Sequence, residues 1–109
     1  MGKSKLKERQ ILVVIKEPGR EPYVEPLFEN TLESFQKAVG GYIETVTICT
    51  DLVLICNEEG KLRGLPFNFA AFGQDFVGTV LAVGVNGDEF ASLKSASVPM
   101  IMRTMGGGR

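Results

Sequence analysis

Residues 30–44 read NTLESFQKAVGGYIE, and the first twelve of them decide the fold class. Asn30 stands three residues before Glu33, the capping-box arrangement in which side-chain oxygens satisfy amide donors left open by the first helical turn. Leu32, Phe35 and Val39 then recur at helical spacing, and Gly40-Gly41 supplies a left-handed stop. One amphipathic helix is therefore expected, and the segments on both sides of it read as strands.

Upstream, Ile11-Leu12-Val13-Val14-Ile15 is short, β-branched and followed by the turn-forming Glu17-Pro18-Gly19-Arg20-Glu21-Pro22. A second strand follows at 23–28, with Val24 and Phe28 on one face, Glu25 and Glu29 near the other, and an edge position implied by Pro22 and Pro26. Downstream, 42–48 and 52–57 read as strands, the second apolar enough to be central. The polar turn Glu58-Glu59-Gly60-Lys61 leads to a short return strand at 62–65 and a loop or single helical turn at 66–72. A further strand is expected over 76–85. Asn86-Gly87 is the strongest hairpin signal in the chain and sets Val85 opposite Asp88 and Val83 opposite Phe90. Val98, Ile101, Met102 and Met105 fit a short helix beginning near Pro99.

These elements predict an α+β domain: a small mixed, mostly antiparallel sheet, one well-capped helix after an N-terminal β-hairpin, and a short C-terminal helix. Residues 1–8 read as a flexible basic arm, 9–105 as the domain and 106–109 as a flexible glycine-rich tail.

A length of 109 residues suits one domain, and 44% hydrophobic with 23% charged residues argues against disorder. The formal charge of −1 conceals a basic start and an acidic middle, where nine acids between 17 and 59 face only Arg20 and Lys37, a local −7. No apolar run is long enough to span a membrane and the charged start lacks signal-peptide features, so a cytoplasmic setting is expected. Cys49 and Cys56 fit reduced thiols there. Histidine is absent, which excludes Ser-His-Asp and Cys-His catalysis and imidazole zinc sites. Neither a catalytic residue, a metal site nor a cofactor is assigned.

Two groups of residues invite a functional reading. Glu21, Glu25 and Glu29 repeat every fourth residue, which on an extended strand keeps them on one face. With Glu58 and Glu59 they form the expected partner-binding surface, complementary to a basic groove; the plainer reading is a solvated edge that resists aggregation. The second group is a small-molecule or nucleotide site in which Asn57, Lys61, Arg63 and Asn68 supply polar contacts beside Phe67 and Phe69. The plainer reading there is a hydrophobic plug under a loop. Met100, Met102 and Met105 suit core packing or a homodimer contact through the C-terminal helix. Four cations in the N-terminal arm, without interleaved aromatics, do not make a nucleic-acid surface.

The chain resembles the domain of unknown function 3846 family. The likeness is carried by VIKEPGREP (14–22), NTLESFQKAVGGYIE (30–44), LICNEEGKLRGLP (54–66) with Asn68, and VGTVLAVGVNGDEFASL (77–93). The resemblance implies a small protein of Firmicutes, their phages and conjugative elements, but no activity or ligand. That company implies a non-enzymatic accessory protein acting by protein binding in the bacterial host cytosol, in the manner of a counter-defence inhibitor of a host nucleic-acid-binding system. The partner would be a host or phage protein. Phe67, Phe69, Phe72 and the 99–109 tail depart from the family pattern and mark a specialised surface in that reading.

Overall fold

The three most apolar runs, 11–15, 52–55 and 80–83, lie in interior strands of one sheet, each covered on both faces. A computed structural model describes residues 9–106; the arm expected at 1–8 and the tail residues 107–109 lie outside them. The order is β1 (Gln10–Lys16), β2 (Tyr23–Glu29), α1 (Leu32–Val39), β3 (Ile43–Cys49), β4 (Leu52–Asn57), β5 (Phe67–Ala71), β6 (Gln74–Val77), β7 (Val80–Asn86), β8 (Glu89–Ala91) and, after a 3-10 turn at Ser95–Ser97, α2 (Val98–Met105). The main sheet runs β2-β1-β7-β4-β3, with β8 beside the far end of β7, and β5-β6 form a separate hairpin. Every pairing among the described residues is antiparallel. The α+β fold is as the sequence implies.

Alternation along the strands sends side chains into two cores. Ile11, Val13, Ile15, Val53, Ile55, Leu81 and Val83 meet α1 through Phe35 and Val39. Val14, Leu52, Leu54, Val80 and Ala82 meet α2, through Ile101 and Met105, and the β5-β6 hairpin, through Phe69 and Phe76. An antiparallel sheet usually wets one face; this one hides both, which is why its inner strands are continuously apolar. Each fully buried side chain of this size contributes about 1.5–3 kcal/mol.

Helix α1 forms where expected, with a different cap. Thr31, in extended backbone, accepts a hydrogen bond from Ser34 N at 3.1 Å. Asn30 is instead buried and donates through Nδ2 to Phe90 O at 3.1 Å, tying the helix entrance to β8. With its amide engaged there, the capping position passes one residue on. The inward face is Phe35 and Val39, while Leu32, expected on it, is 59% exposed. Phe35 lies between Phe28 and Phe90, with ring centroids 4.9 and 5.2 Å away.

Several expected boundaries move. Residues 62–64 are turn and Leu65 is irregular, so no strand forms over 62–65, and the segment expected as a loop contains β5. The single strand expected over 76–85 divides at Gly78-Thr79 into β6 and β7, which belong to different sheets. The β7-β8 hairpin pairs Asn86 with Glu89 and Val85 with Phe90, so its central residues are Gly87 and Asp88. Gly87 carries φ +67°, the positive value a type II′ turn asks of its first central residue. The expected register placed Asn86 there, one residue early. Helix α2 is as the spacing implies, with Ile101 and Met105 buried and Val98 and Met102 packed on the same core. Its apolar face is turned into the chain, leaving Met100 as the exposed methionine among the described residues.

Candidate functional site

The acidic ridge expected on β2 does not form. Gln10 pairs with Glu29 and Ile11 with Phe28, but Val13 pairs with Glu25, so β2 holds one extra residue opposite Leu12. That bulge reverses the alternation: Glu29 shares a face with Gln10, whereas Glu25 shares one with Val13. For the same reason Val24, opposite Val14, and Phe28, opposite Ile11, face opposite sides of the sheet. Glu25 Oε2 accepts from Leu27 N at 3.0 Å, so its carboxylate secures the bulge. Glu21 precedes the strand and lines a 430 Å³ cavity with Lys16, Arg20 and Asn68.

The proposed ligand group divides as well. Asn68 and Phe69 are buried at β5 beneath the opposite core from α1, and Phe67 is exposed on the same strand. Phe69 stacks on Phe76 with centroids 4.9 Å apart, a core contact. Asn57 and Arg63 sit elsewhere, at the end of α1, where helices leave carbonyls without partners. Asn57 Nδ2 donates to Val39 O at 3.0 Å and Arg63 Nη1 to Gly40 O at 2.9 Å. These polar groups act as helix caps for the chain itself.

What the sequence does bring together is the turn from Asn57 to Leu65. Asn57 Oδ1 accepts from Glu59 N at 2.7 Å, Asn57 O from Gly60 N, Glu59 O from Arg63 N and Gly60 O from Leu65 N. With both caps added, the turn is fixed from within and anchored to α1. Glu58 and Glu59, both in the turn, line different cavities. Glu58 lines a cavity of 260 Å³ with Glu44, Cys56, Lys61, Leu62 and Asp75. Glu59 lines one of 250 Å³ with Gln36, Tyr42 and Arg63. Leu62 is 91% exposed and Tyr42 69%. Sequence reading placed Leu62 in a strand and missed it; the signal available was an apolar residue inside an otherwise polar turn, between Lys61 and Arg63.

The nucleophile nearest this surface is quiet. Burial first, then the Glu44 carboxylate, push the Cys56 thiol up to about 11, against a small opposing pull from Lys61. Cys49 is exposed at the other end of the β3-β4 pair. At pH 8 a thiol reagent is expected to label Cys49 rapidly and the half-buried Cys56 much more slowly, read as adduct mass against time. Folding holds Cys56 above its ordinary 9.0, so its contribution to stability is complete below pH 9 and lost as pH rises through about 11. A Cys56→Ala chain should lack that share of the alkaline decline. Among the described residues, no three His, Cys, Asp or Glu are placed to hold a metal ion, and no helix is long and apolar enough to cross a membrane.

The 57–65 turn thus carries acidic and apolar side chains on a support held by its own hydrogen bonds. Comparison with protein families matches residues 10–105 to "Domain of unknown function (DUF3846)", and the chain belongs to that family. Comparisons with curated proteins and with solved structures gave no match.

Proposed function

We propose that this chain is a non-enzymatic protein-binding module whose contact surface is the 57–65 turn with Tyr42, Glu44 and Asp75. The observation that supports this most is Leu62, 91% exposed on a turn held by its own hydrogen bonds. A large apolar side chain on a rigid support enters a partner's pocket with little ordering cost, the usual property of an interface anchor. Around it Glu44, Glu58, Glu59 and Asp75 outnumber Lys61 and Arg63, which favours a partner with cationic side chains around an apolar pocket. In the phage or mobile-element setting implied by the family likeness, the partner is a host protein with a basic groove, and the module acts by occupying it.

Leu62→Asp tests this reading. Stability should stay within about 0.5 kcal/mol, since the side chain touches little of its own fold. Immobilised wild-type chain should retain a partner that the variant binds about 30-fold more weakly or loses, as expected of an anchor. Equal retention of the same proteins by both chains would sink the proposal.

A further inference from the structure

The two edges of the main sheet are treated differently. Edge strand β2 carries Pro26, is preceded by Pro22 and is bent by its bulge, all devices that prevent another strand from pairing. Edge strand β3, Ile43-Glu44-Thr45-Val46-Thr47-Ile48-Cys49, has no proline, no lysine and no glycine across seven residues. Its register with β4 is regular from Ile43 to Thr47.

The hydrogen-bond parity shows what this edge offers. Tyr42 O accepts from Glu58 N at 2.8 Å, so Tyr42 and Glu58 form a hydrogen-bonded pair. Such pairs alternate along an antiparallel ladder. Pairs Glu44 with Cys56 and Val46 with Leu54 therefore bond inward, and Ile43, Thr45 and Thr47 turn their N–H and C=O groups away from β4. Among the described residues no strand pairs with them on that side, and the three form a main-chain template.

We propose that this template is the dimerisation edge of the protein and that its occupant is β3 of a second copy, antiparallel about a two-fold axis at Thr45. This register pairs Thr45 with its own equivalent and Ile43 with Thr47 of the other copy, so every outward N–H and C=O in the segment meets its complement. Glu44 falls opposite Val46 of the other copy, and no like charges face each other directly. Thr-Thr pairs are among the favourable cross-strand contacts. Closure also selects this occupant. Pairing β3 with β2 of a neighbour would be head-to-tail and propagate as a filament, but the prolines and bulge of β2 block it. On β8, which lies off the ends of the sheet, the Phe90 carbonyl already accepts from Asn30 Nδ2, so the remaining edge-to-edge solution is isologous and stops at two copies. The resulting sheet runs continuously through both chains and carries two of the 57–65 surfaces.

Sedimentation velocity and light scattering of the full chain test the proposal, with a dimer expected at micromolar concentration. The Thr45 N–H points away from β4, so Thr45→Pro removes a bond from the dimer and none from the β3-β4 ladder. It should weaken association about tenfold or more while leaving the far-ultraviolet spectrum unchanged. Thr45→Lys and Thr45→Glu put like charges opposite each other across the axis, and each should be monomeric alone. Mixed together, they should recover a one-to-one heterodimer. A wild-type chain that remains monomeric at hundreds of micromolar overturns the proposal. So does a dimer indifferent to all three substitutions, or a folded lysine-glutamate mixture that fails to pair.

Discussion

Replacing Gly84 with alanine is expected to destabilise the fold by about 3 kcal/mol or more, at the upper end of overpacking costs. Gly84 sits where β7 changes neighbours: residues 80–82 pair with β1 on one side, while 84–86 pair with β8 on the same side. The chain leaving β8 is drawn back across this point by Leu93 N donating to Leu12 O at 2.9 Å and Leu12 N donating to Ser92 Oγ at 2.9 Å. A Cβ at Gly84 would fall on the Ser92 carbonyl oxygen and lie 2.9 Å from its carbon. Both atoms are backbone, and Leu52 pairs with Gly84 from the other side, so no side chain can yield to make room. The cost is steric, unlike that at the turn glycines with positive φ. Urea unfolding of Gly84→Ala should show a large fall in midpoint. A loss below about 1 kcal/mol would mean that the 91–93 segment can move off β7.

That junction also marks the limit of what the residues reveal in order. Inner strands, α1 and α2 were legible because each is specified by local pattern: a continuous apolar run, a polar cap before a periodic face, or apolar residues at helical spacing. The apolar run over 76–85 was legible as strand but not as two strands, because its division at Gly78 depends on the hairpin leaving for the other core. Pro66 O accepts from Gly78 N at 2.8 Å, a contact between residues whose relation no local pattern encodes. The β2 bulge is a property of a pair of strands, so four-residue spacing of acids on one strand could not disclose that Glu25 and Glu29 part company. In the candidate site, Glu58 and Glu59 were legible as part of a polar turn. Asn57 and Arg63 read as polar contacts for a ligand, but their partners in the fold are the carbonyls of Val39 and Gly40. Polar residues that cap a distant helix and polar residues that hold a ligand look alike in one dimension.

Asn68 carries the same lesson with a larger energetic consequence. In sequence it interrupts the aromatic run around Phe67 and Phe69; in the fold it is 8% exposed and paired with Lys16, itself 6% exposed. Lys16 Nζ donates to Asn68 Oδ1 at 2.9 Å and to Glu17 O at 3.0 Å. Asn68 Nδ2 donates to Lys16 O at 2.8 Å and to Gly78 O at 2.7 Å. One carboxamide thus serves a buried ammonium and two carbonyls, joining β1, β5 and the break between β6 and β7. Asn68→Leu removes all three bonds at once and should cost about 3–4 kcal/mol, because buried polar groups that lose partners forfeit their desolvation energy. Asn68→Asp should also destabilise: it strengthens the attraction to the ammonium, yet a carboxylate cannot donate to either carbonyl. The discriminating measurement is a double-mutant cycle in urea. If the cost of Asn68→Leu is largely that of an ammonium that has lost its Asn68 partner, then adding Lys16→Met should return about 1–2 kcal/mol, a coupling of the size seen between residues in one network. Strictly additive losses would instead place the cost on the carbonyls of Lys16 and Gly78, and assign Asn68 the role of a backbone clamp.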